Sequence, residues 1–165
     1  NKEDCRKKAM IDASVVEIAN SLSSEYNALR PSLIPSLLNV LSSNKHNIYP
    51  QDIFEIAKVF RLKKDDVQED YNLCIMLCNK QADFTRIKQI LDVLSLELGI
   101  NFSIRESSHS SLIHGRSAVI KAKGKNFGII GELHPKVLEA YYLEMPVSLL
   151  EINLESLMEV VKDGT

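Results

Sequence analysis

The chain has 165 residues, 45% of them hydrophobic and 25% charged, with six glycines, five prolines and a formal net charge of −2. That size and composition fit one globular domain with its own core and exclude a disordered tail. The near-neutral charge gives no overall electrostatic pull toward nucleic acid or an anionic membrane.

No run approaches the roughly 18 apolar residues of a membrane span, and the polar start "NKEDCRKKAM" is no signal peptide; a cytoplasmic protein without a membrane partner is expected. Because that start lacks an initiator Met, residues 1–165 are read as a single domain that is a piece of a longer chain.

Along the chain, "ASVVEIAN" (13–20) reads as a strand that opens into the serine-rich turn "SLSSE". In "PSLIPSLLNVLSSN", Leu33, Ile34, Leu37, Leu38 and Leu41 follow a 3.6-residue period, which predicts a helix. Pro31 suits its entry, and Pro35 is tolerable only within the first turn. "QDIFEIAKVFRL" (51–62) is a long strand with apolar residues on both alternating sets, so both faces are expected to be covered. "LKKDDVQED" is taken as a solvated turn, and "YNLCIMLCN" (71–79) as a second, central strand. A helix from Phe84 to Leu98 is marked by Phe84, Ile87, Leu91, Leu94 and Leu98, with Asp83 at its amino end and Gly99 past its last turn.

Strands are then predicted at "INFSIRE", "RSAVIKAKG", "NFGIIGEL" and "PVSLLEINL". "KGKN" carries the signal of a tight hairpin, with Gly124 able to take a positive φ. "HPKVLEAYYL" and "LESLMEVV" are helices, the first with Pro135 in its opening turn. Hairpins among the strands imply an antiparallel sheet flanked by helices, an α+β fold. Within "YNLCIMLCN", Cys74 and Cys78 would lie roughly 13 Å apart along a strand, too far for a disulfide, and buried free thiols are expected.

The densest group of chemically capable residues is "GIIGELHP" (128–135). A phosphate-loop reading of its G-x-x-G lacks the G-K-[ST] of a P-loop, and a dinucleotide fold needs a parallel βαβ unit that the hairpin contradicts. A metal site lacks H-E-x-x-H, and His109, His114 and His134 have no cysteine at ligand spacing. Glu132 and His134 as acid and base would need their side chains to converge, since i and i+2 backbones on one strand face lie about 7 Å apart. The structural reading uses more of the letters. Gly128 and Gly131 admit a close approach of neighbouring chain, His134 caps the helix begun by Pro135, and Glu132 accepts backbone amides or pairs with Arg116 of "HGRSA".

"LRPSLIPSLLNVLSSN", "DIFEIAKVF" and "HGRSAVIKAKGKNFGIIGELHPKVLEAYYLEMPVSLLEINLESL" resemble, in that order and over roughly Val15 to Leu157, the carboxy-terminal core of the phenylalanyl-tRNA synthetase β subunit of the archaeal and eukaryotic kind. The shared pattern combines L-R-x-S-L-x-P-x-L-L, F-E-I, G-x-x-G-E-x-H-P and P-V-x-x-x-E-I-N-L. It singles out Arg30, Phe54, Glu55, Gly115, Arg116, Gly128, Gly131, Glu132, His134, Pro135, Pro146 and Glu151 as structural positions. The resemblance implies a class II synthetase-like domain, an antiparallel sheet flanked by helices.

What it implies about chemistry is mostly negative. Class II catalytic domains hold ATP through an arginine in F-R-x-E and another in G-x-G-x-x-R. Here "VFRLKK" has Phe60 and Arg61, but Lys63 stands at the acid position, and "LLEINLESLM" has neither the glycines nor the arginine. An adenylate-forming transition state would lack its main electrostatic support, so Arg61 is read as a surface residue. No catalytic, cofactor-binding or metal residue is assigned.

In this family β subunits join catalytic α subunits in an α2β2 enzyme that attaches phenylalanine to tRNA with ATP and magnesium. The resemblance therefore implies a noncatalytic assembly domain, with tRNA met through the whole enzyme. The rivals are an independent enzyme built on Glu132 and His134, and a stand-alone paralogue that binds protein or RNA. Apolar residues left over once each helix faces the sheet, Ile34, Leu38 and Leu96, are the expected subunit interface.

Overall fold

A computed structural model describes residues 7–11, 16, 28–63 and 66–162. The order is α1 (Ile34–Asn44), β1 (Gln51–Lys63), β2 (Asp66–Cys78), α2 (Phe84–Leu98), β3 (Ser103–Glu106), β4 (Leu112–Ala122), β5 (Lys125–Leu133), α3 (Pro135–Ala140), β6 (Val147–Asn153) and α4 (Leu154–Lys162). The strands form one six-stranded sheet, β1-β2-β6-β5-β4-β3, in which every neighbouring pair is antiparallel. The strand predicted at 13–20 lies outside the described residues, Val16 excepted.

The period-two alternation of the strands divides the core into two layers. On one face Leu33, at the N-cap of α1, and Leu37, Leu38 and Leu41 of α1 pack with Cys74, Met76, Cys78, Val147 and Leu149. On the other, Ile87 and Leu91 of α2 and Leu157 and Val160 of α4 pack with Leu77, Leu150, Ile152, Ile120 and Ile130. β6 is buried along its whole length because both layers cover it.

Local chemistry explains the element ends. Asp83 accepts the Arg86 amide as N-cap of α2, and Gly99 at φ 64° closes the helix by donating to its last turn. Helix α1 begins only at Ile34, which leaves Pro35 in the first turn, where its missing N–H is harmless. Gly124 sits at φ 78° between β4 and β5, as the hairpin requires.

Three expectations need correction. β1 is an edge strand, not one covered on both faces: Phe54 is 71% exposed and Ile56 55% exposed, since α2 and α4 lie over strands farther into the sheet. The turn "LKKDDVQED" is mostly strand, since the β1–β2 ladder runs from Gln51↔Cys78 out to Lys63↔Asp66. As far as Glu69 its polar residues mark a hairpin end exposed on both sides and held by cross-strand pairs such as Lys58–Glu69 at 2.8 Å, while Asp70 is buried. Finally, Ile34 (1% exposed) and Leu38 (0%) belong to this domain's own core and cannot form a subunit surface, whereas Leu96 is 80% exposed.

Candidate functional site

The segment 128–135 is the corner between β5 and α3. His134 is the N-cap of α3, its Nδ1 accepting the Lys136 amide at 3.1 Å, and Pro135 occupies the first turn. Glu132 uses its two carboxylate oxygens on different elements. Oε2 pairs with Arg116 Nη1 at 2.7 Å, and Oε1 accepts the Phe84 amide at 3.0 Å in the first turn of α2. The Glu132 hydrogen bond and charge raise the affinity of the Arg116 guanidinium for its proton. Neither oxygen is given to His134, so the acid-base reading has no support in this geometry.

The two glycines are steric necessities. A Cβ on Gly128 would lie 1.9 Å from the Glu151 carbonyl oxygen of β6, and one on Gly131 would lie 2.7 Å from the Arg116 carbonyl oxygen of β4. Gly115, at φ 77°, falls in the irregular stretch where the β4–β5 register shifts between Leu112 and Ser117.

Of the remaining pattern residues, Arg30, Glu55 and Glu151 lie on the α1 face. Arg30 donates from Nε to the Lys58 carbonyl at 3.1 Å and from Nη1 to Ser36 Oγ at 3.2 Å, and it pairs with Glu55 Oε1 at 2.9 Å. Thus "LR" and "FEI" form one tie between the entry to α1 and β1. Phe54 points away from that tie, on the exposed face. Glu151 is buried and fully engaged: Ser32 Oγ donates to Oε2 at 2.6 Å, while the Leu33 amide and Asn72 Nδ2 donate to Oε1 at 2.9 and 2.7 Å. Ser32 also accepts the Ile34 amide at 3.1 Å, so this carboxylate anchors the start of α1 to the middle of the sheet. Pro146 is exposed, immediately before β6.

Beside Glu151 opens a cleft of about 480 Å³, lined by Ser32, Asp70, Asn72, Asn153, Arg61 and His109 among others. Asn153 donates to Asn72 Oδ1 at 3.4 Å and accepts the Ser156 amide at 2.8 Å, which ties the floor of the cleft to α4. Burial lowers the proton affinity of His109, whose Nδ1 accepts the Ser111 amide at 3.2 Å. Arg61 is exposed, as read from the sequence, but it lies at the cleft. Sequence reasoning missed Asp70, Asn72 and Asn153 here. The one signal was a polar Asn72 inside the apolar run "YNLCIMLCN", where a buried amide needs partners.

Cys74 and Cys78 are buried free thiols. Burial, reinforced by Glu151 and Glu55, holds Cys74 well above the ordinary thiol range, and burial with Asp52 pushes Cys78 up to about 11. Neither is a reactive thiolate at neutral pH. Among the described residues no group of three or more His, Cys, Asp or Glu side chains is placed to hold a metal ion, and no helix is long and apolar enough to cross a membrane.

Solved structures of pyrrolysyl-tRNA synthetase from Desulfitobacterium hafniense share the fold. One superposes with a TM-score of 0.71 at 17% identity, covering 92% of this chain and 54% of that one. Another gives 0.72 at 19% identity with the same coverage. The α+β sheet is therefore that of a class II synthetase. Among curated proteins, the phenylalanine–tRNA ligase β subunit of Thermococcus onnurineus is 41% identical over 148 residues, covering 88% of this chain and 26% of that protein. The β subunit of Pyrococcus abyssi is 40% identical over 163 residues, 96% of this chain and 29% of its own length, and that of Archaeoglobus fulgidus 36% identical over 157 residues, 95% and 28%. The chain spans less than a third of these relatives. Residues 1–154 match the family described as phenylalanyl tRNA synthetase beta chain CLM domain, and with these identities over most of its length the chain belongs to that family.

Proposed function

We propose that this domain serves as a noncatalytic assembly module of a phenylalanine–tRNA ligase β subunit. The parent enzyme is an α2β2 cytoplasmic synthetase that joins phenylalanine to its tRNA with ATP and magnesium, and the tRNA is met through the whole assembly. Family membership supports the parent enzyme. The observation that carries the noncatalytic reading is the charge of the cleft: among the described residues the buried carboxylates of Asp70 and Glu151 line it, against one arginine, Arg61. A triphosphate and the oxyanions of adenylate formation need several fixed cations. This donor set does not fit ATP.

A fold kept without nucleotide chemistry is kept for its surfaces. The surface we assign to the α subunit centres on Leu96 and Val93 of α2, both exposed, and continues across the groove at Ile90 and Asp52 to Phe54 and Ile56 of β1. Obligate interfaces commonly bury 2,000 Å² or more and are apolar at their centre, as this patch is. Co-expression with an α subunit, followed by sedimentation of the purified material, tests the assignment. The expected result is a complex that Leu96→Glu weakens while the free domain keeps its circular dichroism. Normal assembly by Leu96→Glu and by Phe54→Glu would move the interface elsewhere.

A further inference from the structure

Asp70 of β2 is 6% exposed, yet among the described residues its carboxylate accepts hydrogen bonds only from Gln68 Nε2, at 3.0 and 3.3 Å. An ionised carboxylate offers about four acceptor positions and needs charged or multiple donors when taken out of water. Glu151, in the same cleft, has three donors from Ser32, Leu33 and Asn72. The contrast separates a structural carboxylate from one with unused capacity, and the unused capacity lines a cleft of about 480 Å³, a volume suited to a small organic ligand.

The second group is Arg61. The β1–β2 register pairs Arg61 with Gln68 and Val59 with Asp70, so Arg61 and Asp70 are diagonal neighbours on one face of the hairpin. Such Cβ atoms lie roughly 7–8 Å apart. Both side chains line the cleft, but no ion pair joins them, and Arg61 takes part in none of the hydrogen bonds or salt bridges of the described residues. The cleft thus presents a buried anion and a rim cation separated by a gap, with the neutral amides of Asn72 and Asn153 on its floor.

We propose that this cleft binds a small zwitterionic amine, its ammonium donating to Asp70 and its anionic end meeting Arg61. An ammonium carries three donors and the positive charge that Asp70 lacks, and Gln68 leaves room for them. The guanidinium at the rim selects amines whose far end is a carboxylate and disfavours plain cations. The cleft lies on the face of the sheet opposite the surface assigned to α.

Four four-carbon probes separate the contributions: γ-aminobutyrate, α-aminobutyrate, butylamine and butyrate, each titrated into the isotopically labelled 165-residue chain and followed by amide chemical shifts. Saturable shifts at Asp70, Asn72 and Asn153 are expected with one or both zwitterions. Affinity should be at least tenfold weaker for butylamine and absent for butyrate. Asp70→Asn should abolish zwitterion binding, and Arg61→Gln, an exposed change that leaves the fold intact, should bring γ-aminobutyrate and butylamine to equal affinity. Absence of saturable shifts with every amine overturns the proposal, as does zwitterion binding that survives Arg61→Gln unchanged. Should Asp70→Asn fail to fold, the Arg61→Gln comparison decides alone.

Discussion

Replacing Gly128 by alanine adds one methyl group at the point where β5 passes β6 most closely. That carbon would stand 1.9 Å from the Glu151 carbonyl oxygen, 2.8 Å from its carbon and 2.9 Å from Ile152 Cα, whereas real Cβ contacts essentially never fall below 3.0 Å. All three obstructing atoms are backbone of a strand buried on both faces, so no flexible side chain can swing aside. The strands must separate by about 1 Å, which strains the ladder around Gly128↔Ile152 and the adjoining Glu151 anchor. Overpacking costs about 1–3 kcal/mol, and each weakened ladder hydrogen bond roughly a further 1 kcal/mol. With one such bond weakened the sum is about 2–4 kcal/mol, or a fall in Tm of about 4–16 °C for a domain of this size. Gly131→Ala meets its nearest atom at 2.7 Å, beside the irregular part of β4 that can yield, and should cost about 1–2 kcal/mol. Urea unfolding followed by circular dichroism gives both values. A Gly128→Ala loss under about 0.5 kcal/mol, or a larger loss at Gly131, would refute the close-approach argument.

The Glu151 anchor predicts that Glu151→Ala, which strands three donors in the core, destabilises by about 2–4 kcal/mol in the same assay, and that Glu151→Asp does not restore stability because the shorter arm misses α1. Leu38→Ala should cost about 2–5 kcal/mol, while Leu96→Glu stays within about 0.5 kcal/mol in the free domain; equal effects would contradict the division of buried and exposed faces. The buried thiols predict alkaline instability with a definite sign. Above about pH 9 the unfolded chain ionises its cysteines while folded Cys78 holds its proton to about 11, so stability should fall from pH 9 toward 11, and Cys78→Ala should flatten that slope. A thiol reagent at pH 8 should label Cys74 and Cys78 only on unfolding.

Much of this was legible in the letters because local chemistry sufficed. Asp83 and Gly99 bracket α2, Gly124 turns the β4–β5 hairpin, and the sequence G-E-x-H-P places a close approach, an anchor and a cap in successive residues. What was not legible depends on partners distant in sequence. Phe54 and Ile56 look like core residues until the sheet order places β1 at its edge. Ile34 and Leu38 look surplus to a helix with one buried side, but the core cluster that takes in α1 includes Ala9, Ile11, Tyr141 and Leu143 besides the sheet residues, and both are fully buried in it. The cleft is built from Ser32, Asp70, Asn72 and Asn153, four polar residues with no common motif, which only the β2–β6 register and the α1 entry bring together.

The most direct test of the central claim, a class II fold retained without adenylate chemistry, is phenylalanine-dependent exchange of pyrophosphate into ATP by the purified chain. No exchange above background is expected from the chain alone, because the one exposed arginine that lines the cleft among the described residues, facing two buried carboxylates, cannot hold a triphosphate. Robust exchange that disappears in Arg61→Gln would contradict it.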